Sequence, residues 1–341
     1  MRSLNKLLEP IRAESGVPAL AAGVIERGKL VALGAVGRRR ADHEQPVQAD
    51  DRFHIGSCTK SMTATLIAKL VESGRMDWGS MVAEVFPDIR KSIRREYWKV
   101  TLEQLLTHRS GLPEDRAPDP QVFPKLWALS ASQRKQAVEL ILQQEPVAKP
   151  GEKMVYSNGG YVVAGAMAEV VMGKSWEELM QEMLFRPLGI RSAGFGAPVN
   201  APWGHRATPQ GYLPVAPSPF ADNPPVFGPA GRVHLSLPDW ARYAIAHVKG
   251  ATEEKPPLLS RSAFRKLHTP PDGNSYAMGW GVAQPSWAKG AVLLHAGSNT
   301  LWFAQVVLVP AARTGYLVAT NAGDEKAVNA VRRALEILRG T

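Results

Sequence analysis

The chain has 341 residues and one cysteine, Cys58, so no intrachain disulfide can staple it; its length allows a large core and two domains, because single cores stop growing near roughly 250–300 residues. The net charge of +10 raises nucleic acid as a partner. However, the basic clusters at Arg38-Arg39-Arg40, 91–95 and Arg332-Arg333 fall in turns or on polar helix faces without interleaved aromatics, which argues against a nucleic-acid platform.

The elements follow in chain order. Leu4, Leu7, Leu8 and Ile11 share one face of a short N-terminal helix. The first 17 residues have no unbroken apolar stretch and are not a signal peptide. The expected location is therefore cytoplasmic for the chain as it stands, and periplasmic or secreted where a leader has been removed. Ala19–Glu26 and Lys29–Gly37 are β-rich and meet at Arg27-Gly28, which predicts a hairpin. A strand pattern at Phe53-His54-Ile55 hands over at Gly56 to a helix over Thr59–Ser73, with Met62, Leu66, Ile67, Leu70 and Val71 at helical spacing and Gly74 as the stop.

Thr101 and Gln104 form a capping box opening the helix Thr101–Leu106. Further helices are expected over 132–144, 160–172 and 175–185, the last with Ser175 and Glu178 as a second capping box. No run reaches the roughly 20 apolar residues of a membrane span; the longest candidate, Tyr161–Val171, is broken by Glu169. Residues 198–229 are rich in Pro and Gly, have no periodicity and are expected to form a long loop. Helices return at 238–248 and 261–267. Strands follow at 291–295, 302–309 and 315–320, then an amphipathic helix at 324–339. Two strands, a helical middle, three strands and a helix predict an α+β fold, with one five-stranded antiparallel sheet built from both chain ends and flanked by helices.

Ser57 and Lys60 lie three residues apart at the start of a helix, on one face. A serine hydroxyl becomes a nucleophile when a base sits within hydrogen-bond reach. The free N–H groups and positive dipole end of a helix start favour an oxyanion and disfavour a protonated lysine. The same spacing occurs at Ser3–Lys6 and Ser132–Lys135, which lack that context and are expected to be solvated. Cys58 beside the serine is expected to act as a small buried hydrophobe.

Tyr156-Ser157-Asn158 sits between Pro150-Gly151-Glu152 and Gly159-Gly160, in a tight loop ahead of a helix. A tyrosine beside a lysine can carry the serine proton to the leaving group, and Asn158 can accept from the lysine while donating to a substrate carbonyl. His295-Ala296-Gly297-Ser298 ends a predicted strand. Gly297 would allow close approach to its edge, and the Ser298 N–H could complete an oxyanion hole with that of Ser57. No histidine pair has metal-ligand spacing, so neither metal nor cofactor is expected.

Taken together, Ser-x-x-Lys, Tyr-x-Asn and His-x-Gly in this order resemble the serine β-lactamase and penicillin-binding protein superfamily. The chain looks most like its class C β-lactamase-related branch, which includes family VIII esterases and D-amino-acid peptidases. Phe53–Lys60, Leu105–Leu112 and Pro229–Arg232 support the match. The resemblance implies a β-lactamase/transpeptidase-like fold, with an α/β domain from residues 1–56 and 226–341 and a mainly helical domain from 57–225. It implies Ser57 as acylated nucleophile, Lys60 and Tyr156 as the base and acid pair, and Asn158, His295, Gly297 and Ser298 as substrate-binding.

His295-Ala296 stands where the family's Lys-Thr pair would be, so a cation and a hydroxyl that hold a substrate carboxylate are missing. The Glu-bearing loop motif of class A enzymes is also missing, which leaves deacylation to Tyr156 or to the substrate itself. The expected activity is a serine hydrolase cleaving small esters or amides, with a D-amino-acid peptidase or weak β-lactamase as the alternative within the fold. A non-catalytic sensing module is the alternative of another class, although the intact Ser57, Lys60, Tyr156 and Asn158 speak against it. The expected partner is a small-molecule ester or amide, with no nucleic acid and no membrane span; the sequence leaves the oligomeric state open.

Overall fold

Arg27 and Gly28 both take positive φ, 52° and 71°, the kind of two-residue turn that matches the twist of the strands it joins. This hairpin is the one expected from the sequence. It anchors the main sheet of the computed structural model, which describes residues 1–114 and 121–340. In chain order the strands are β1 (Arg2–Ser3), β2 (Ala19–Glu26), β3 (Lys29–Gly37), β4 (Arg52–His54), β5 (Gly194–Phe195), β6 (Gly204–Thr208), β7 (Gly211–Val215), β8 (Val233–Ser236), β9 (Gly281–Ala283), β10 (Val292–Ser298), β11 (Phe303–Val309) and β12 (Thr314–Thr320).

The main sheet runs β1-β3-β2-β12-β11-β10-β9. It has seven strands where the sequence predicts five. The five expected strands form its antiparallel centre; β1, parallel to β3, and β9 add short edges. Runs of two and three residues are too short to show an alternating pattern, so these edges escape sequence reading.

β2 explains how the sheet sits. Leu20, Ala22 and Val24 face the two terminal helices, meeting Leu8 and Ile11 of Asn5–Ser15 and Val331 and Leu335 of Glu325–Arg339. Ala19, Ala21 and Ile25 face the opposite layer, with Tyr243, Ala244 and Val248 of the helix Leu237–Thr252 and Met62 and Leu66 of the serine helix. A strand covered on both faces reads as a continuous apolar run. Each large aliphatic side chain buried there contributes about 1.5–3 kcal/mol.

The serine helix, Thr59–Glu72, is buried from Thr59 through Ala68, as is most of Asn158–Met172. Helices covered on all sides belong to the core rather than the surface. Both expected capping boxes are present, at Thr101/Gln104 and Ser175/Glu178. The helix expected over 175–185 divides into an α segment, Trp176–Met180, and a π turn, Gln181–Phe185.

The stretch 198–229 departs from expectation. Within it β6 and β7 pair as a hairpin, where Gly211 and Pro214 had hidden the strand pattern. A second small sheet, β4-β8-β5, lies immediately before the serine turn. Among the described residues, no helix is long and apolar enough to cross a membrane.

Candidate active site

β4 ends at His54, and the chain makes one 3-10 turn, Gly56–Cys58, before entering the serine helix. Two glycines allow β10 to lie directly on that turn. A Cβ at Gly56, where φ is +50°, would stand 2.4 Å from the Ser298 nitrogen; one at Gly297 would stand 2.1 Å from the Ile55 carbonyl oxygen and 2.5 Å from the Ser57 nitrogen. Real Cβ atoms do not approach so closely, so any side chain there would push the two backbones apart. The sequence places the end of this strand at His295. Pairing of Gly297 with Ala304 and Ser298 with Phe303 extends it to Ser298. The Ser298 hydroxyl is committed to the following turn, donating to the Trp302 carbonyl at 2.8 Å and accepting from the Thr300 N–H at 2.9 Å. What Ser298 can offer a ligand is its backbone amide.

Lys60 is fully buried. Its Nζ donates to Ser57 Oγ at 3.0 Å, to Asn158 Oδ1 at 2.6 Å and to the Ala230 carbonyl at 2.7 Å, and lies 4.9 Å from the Tyr156 ring centroid. These three acceptors match the three N–H groups of an ammonium. The structure thus brings Ser57, Lys60, Tyr156 and Asn158 together from positions about a hundred residues apart. Cys58 turns away from this cluster, with its thiol toward the His295 carbonyl at 3.4 Å, and burial pushes its pKa up. Of the other Ser-x-x-Lys pairs, Ser3 and Lys6 are exposed, as are Ser286 and Lys289, and Lys135 pairs with Asp88 at the surface.

His295 is buried in the opposite wall. Its Nδ1 lies 2.8 Å from the Ala296 carbonyl, which accepts only from an N–H, so the ring proton sits there. Nε2 accepts from the Tyr276 hydroxyl at 3.0 Å. Burial, with the nearby Lys60 charge, pushes the imidazole pKa down to about 3. The ring is therefore neutral, with both nitrogens engaged.

Two residues of the site were not assigned from sequence. His108, inside the Leu105–Leu112 stretch, grips the loop on both sides of Tyr156. Its carbonyl accepts from the Val155 N–H at 2.8 Å, its Nδ1 accepts from the Ser157 N–H at 3.1 Å, and its ring lies 4.2 Å from that of Tyr156. It holds φ at +57°, uncommon for a non-glycine residue. The other, Tyr276, is a solitary tyrosine with no motif around it, and only the fold brings it to His295. A cavity of about 440 Å³ opens over the cluster, lined among the described residues by Glu114, Tyr156, Asn158, Tyr276, Gly281, Leu294, His295 and Ala296. That volume suits a small ligand. No group of three or more His, Cys, Asp or Glu among the described residues is arranged to hold a metal ion.

A buried lysine on a helix-start serine, facing a tyrosine and a strand edge, defines a serine-hydrolase fold of the penicillin-recognising type. The chain matches the Beta-lactamase family over residues 4–339 and belongs to it. It is 26% identical over 326 residues to penicillin-binding protein 4 of Amycolatopsis lactamdurans, covering 92% of this chain and 84% of that protein. To Protein flp of Staphylococcus aureus strain N315 it is 23% identical over 337 residues; the match covers 95% of this chain but only 64% of that longer protein. Among solved structures, the octameric penicillin-binding protein homologue from Pyrococcus abyssi superposes with a TM-score of 0.79 at 25% identity, covering 98% of this chain and 76% of that one. The D-alanine carboxypeptidase AmpC from Burkholderia cenocepacia shares the fold, with a TM-score of 0.75 at 21% identity and 97% of each chain covered.

Proposed function

We propose that the protein is a serine hydrolase that forms an acyl-enzyme on Ser57 and cleaves esters or amides of small, uncharged acyl groups. The observation that carries this reading is the 3.0 Å contact from Lys60 Nζ to Ser57 Oγ, beside Tyr156 and Asn158 of the cavity lining. Ser57 Oγ attacks the substrate carbonyl carbon, and its proton passes to the Lys60–Tyr156 pair at the Tyr156 oxygen, because a Lys60 ammonium has no lone pair to take it. The oxyanion forms beside the backbone amides of Ser57 and Ser298, donors fixed in place before the reaction begins. The C–O or C–N bond then breaks, and the proton returns from the pair to the leaving group. Water, deprotonated by the same pair, cleaves the Ser57 ester and releases the acid.

Substrate choice follows from the β10 wall. β-Lactams and D-alanyl peptides carry a carboxylate beside the scissile amide, and a charge-assisted hydrogen bond to it contributes about 1.5–3 kcal/mol. A neutral, fully engaged His295 and the methyl of Ala296 offer no such bond. Short-chain p-nitrophenyl esters should therefore be hydrolysed readily, and benzylpenicillin and nitrocefin weakly or not at all. Efficient nitrocefin turnover with negligible esterase activity would move the protein to the β-lactamase side. A D-amino-acid peptidase is the second reading, favoured by the fold shared with the D-alanine carboxypeptidase; D-alanyl dipeptide turnover exceeding ester turnover would establish it.

A further inference from the structure

Behind the site lies a buried carboxylate that the acyl-enzyme mechanism does not use. Asp222 is 5% exposed and sits in the stretch expected to be loop. Its Oδ2 accepts from His54 Nε2 at 3.0 Å and Arg232 Nε at 3.1 Å; its Oδ1 accepts from Asn299 Nδ2 at 2.9 Å and the Asn223 N–H at 2.8 Å. Every one of these partners is a donor. The His54 tautomer is fixed by its other nitrogen, because Nδ1 accepts from the Gly56 N–H at 3.1 Å.

Each arm leads to a different part of the site. His54 holds the Gly56 amide, one residue before the nucleophile. Asn299 follows Ser298, and its Oδ1 accepts from the Leu301 and Trp302 N–H groups at 3.2 Å, closing the turn to which the Ser298 hydroxyl is tied. Arg232 follows the Gly228–Gly231 turn, whose Ala230 carbonyl accepts from Lys60. We infer that Asp222 is a positioning residue that holds the Ser57 turn, the Ser298 turn and the Ala230 carbonyl in mutual register, and so sets the spacing of the two oxyanion-hole amides. Its catalytic consequence rests on the acyl-enzyme reading; its structural consequence does not. Burial alone would raise the carboxyl pKa, but His54, Arg232 and Asn299 hold it at about 2, so the group is ionised throughout the neutral range.

Asp222→Asn keeps the shape but turns an amide NH₂ toward a set made only of donors. It should lower kcat for a p-nitrophenyl ester, and the rate of Ser57 labelling by a fluorophosphonate, by about 10–10²-fold, somewhat less than outright loss of one oxyanion donor. KM should stay within about twofold, since the misplaced amides matter most to the transition state. Asp239→Asn is the control for plain loss of stability. Asp239 is a comparably buried carboxylate away from the site that accepts from the Arg191 and Ser192 N–H groups; its variant should lose melting temperature but keep kcat. Hydrogen exchange tests the structural half independently of activity. In Asp222→Asn, residues 52–58 and 298–303 should both exchange faster.

Retained kcat, with exchange changes confined to 219–223, would overturn the inference. If the wild-type protein neither hydrolyses esters nor labels, the acyl-enzyme reading fails while the exchange result still decides the role of Asp222. If Asp222→Asn does not fold, Asn299→Ala cuts one arm alone and should speed exchange at 298–303 while leaving 52–58 as in the wild type. Unchanged exchange there would equally overturn the proposal.

Discussion

The two walls of the cleft are built in opposite ways. The serine-helix wall carries a buried cation with three acceptors, and its central pair comes from residues three apart. The β10 wall carries a buried imidazole whose charge has been suppressed, and its partners Tyr276 and Gly56 come from distant parts of the chain. On the proposed reading, one wall moves protons and the other shapes and selects. An electrostatically lopsided cleft of this kind should keep acyl-transfer chemistry while losing preference for anionic substrates.

The largest expected effect breaks the proton-handling wall. Lys60→Ala and Tyr156→Phe should each lower kcat on a p-nitrophenyl ester by about 10²–10⁴-fold, the range for losing positioned acid–base help. Steady-state kinetics decides this, and unchanged values in either variant would remove that residue from the mechanism.

The second prediction sharpens the selecting wall. His295→Lys with Ala296→Thr should raise the ratio of nitrocefin to ester kcat/KM by about one to two decades, the worth of a charge-assisted bond to the carboxylate. A ratio that does not move would show that the wall does not set substrate choice.

The smallest effect concerns pH. Burial holds His295 and His268 at about 3 and His234 at about 4, and lowers His108 and His247 as well. In the unfolded chain these groups titrate near 6.5. Below that pH the unfolded state binds more protons, so stability rises with pH. It should be fully present above about pH 7 and fall progressively as pH drops toward 3, read as melting temperature across that range. His295→Gln should leave the activity profile between pH 5 and 8 unchanged, because the wild-type ring does not titrate there. A shifted acidic limb in that variant would contradict the neutral wall.

The same contrast explains what could be read from the sequence. Ser57 and Lys60 are adjacent by helix geometry, so their contact follows from spacing alone. The central strands were legible because each is a largely apolar run bounded by turn residues. β10 was read too short, because Ala296-Gly297-Ser298 looks like a turn, yet only small residues can pass so close to Gly56 and Ser57. Asp222 was invisible because its partners His54, Arg232 and Asn299 are united only in the folded chain. The hairpin of β6 and β7 was hidden by the glycine and proline it contains.

The central claim is that Ser57 is the acylated nucleophile. Incubation with a fluorophosphonate followed by intact mass measurement should show one adduct on the wild-type protein, none on Ser57→Ala, and an unchanged adduct on Ser3→Ala, Ser132→Ala and Cys58→Ala. An adduct that survives Ser57→Ala, or that is lost in Cys58→Ala, would contradict the account.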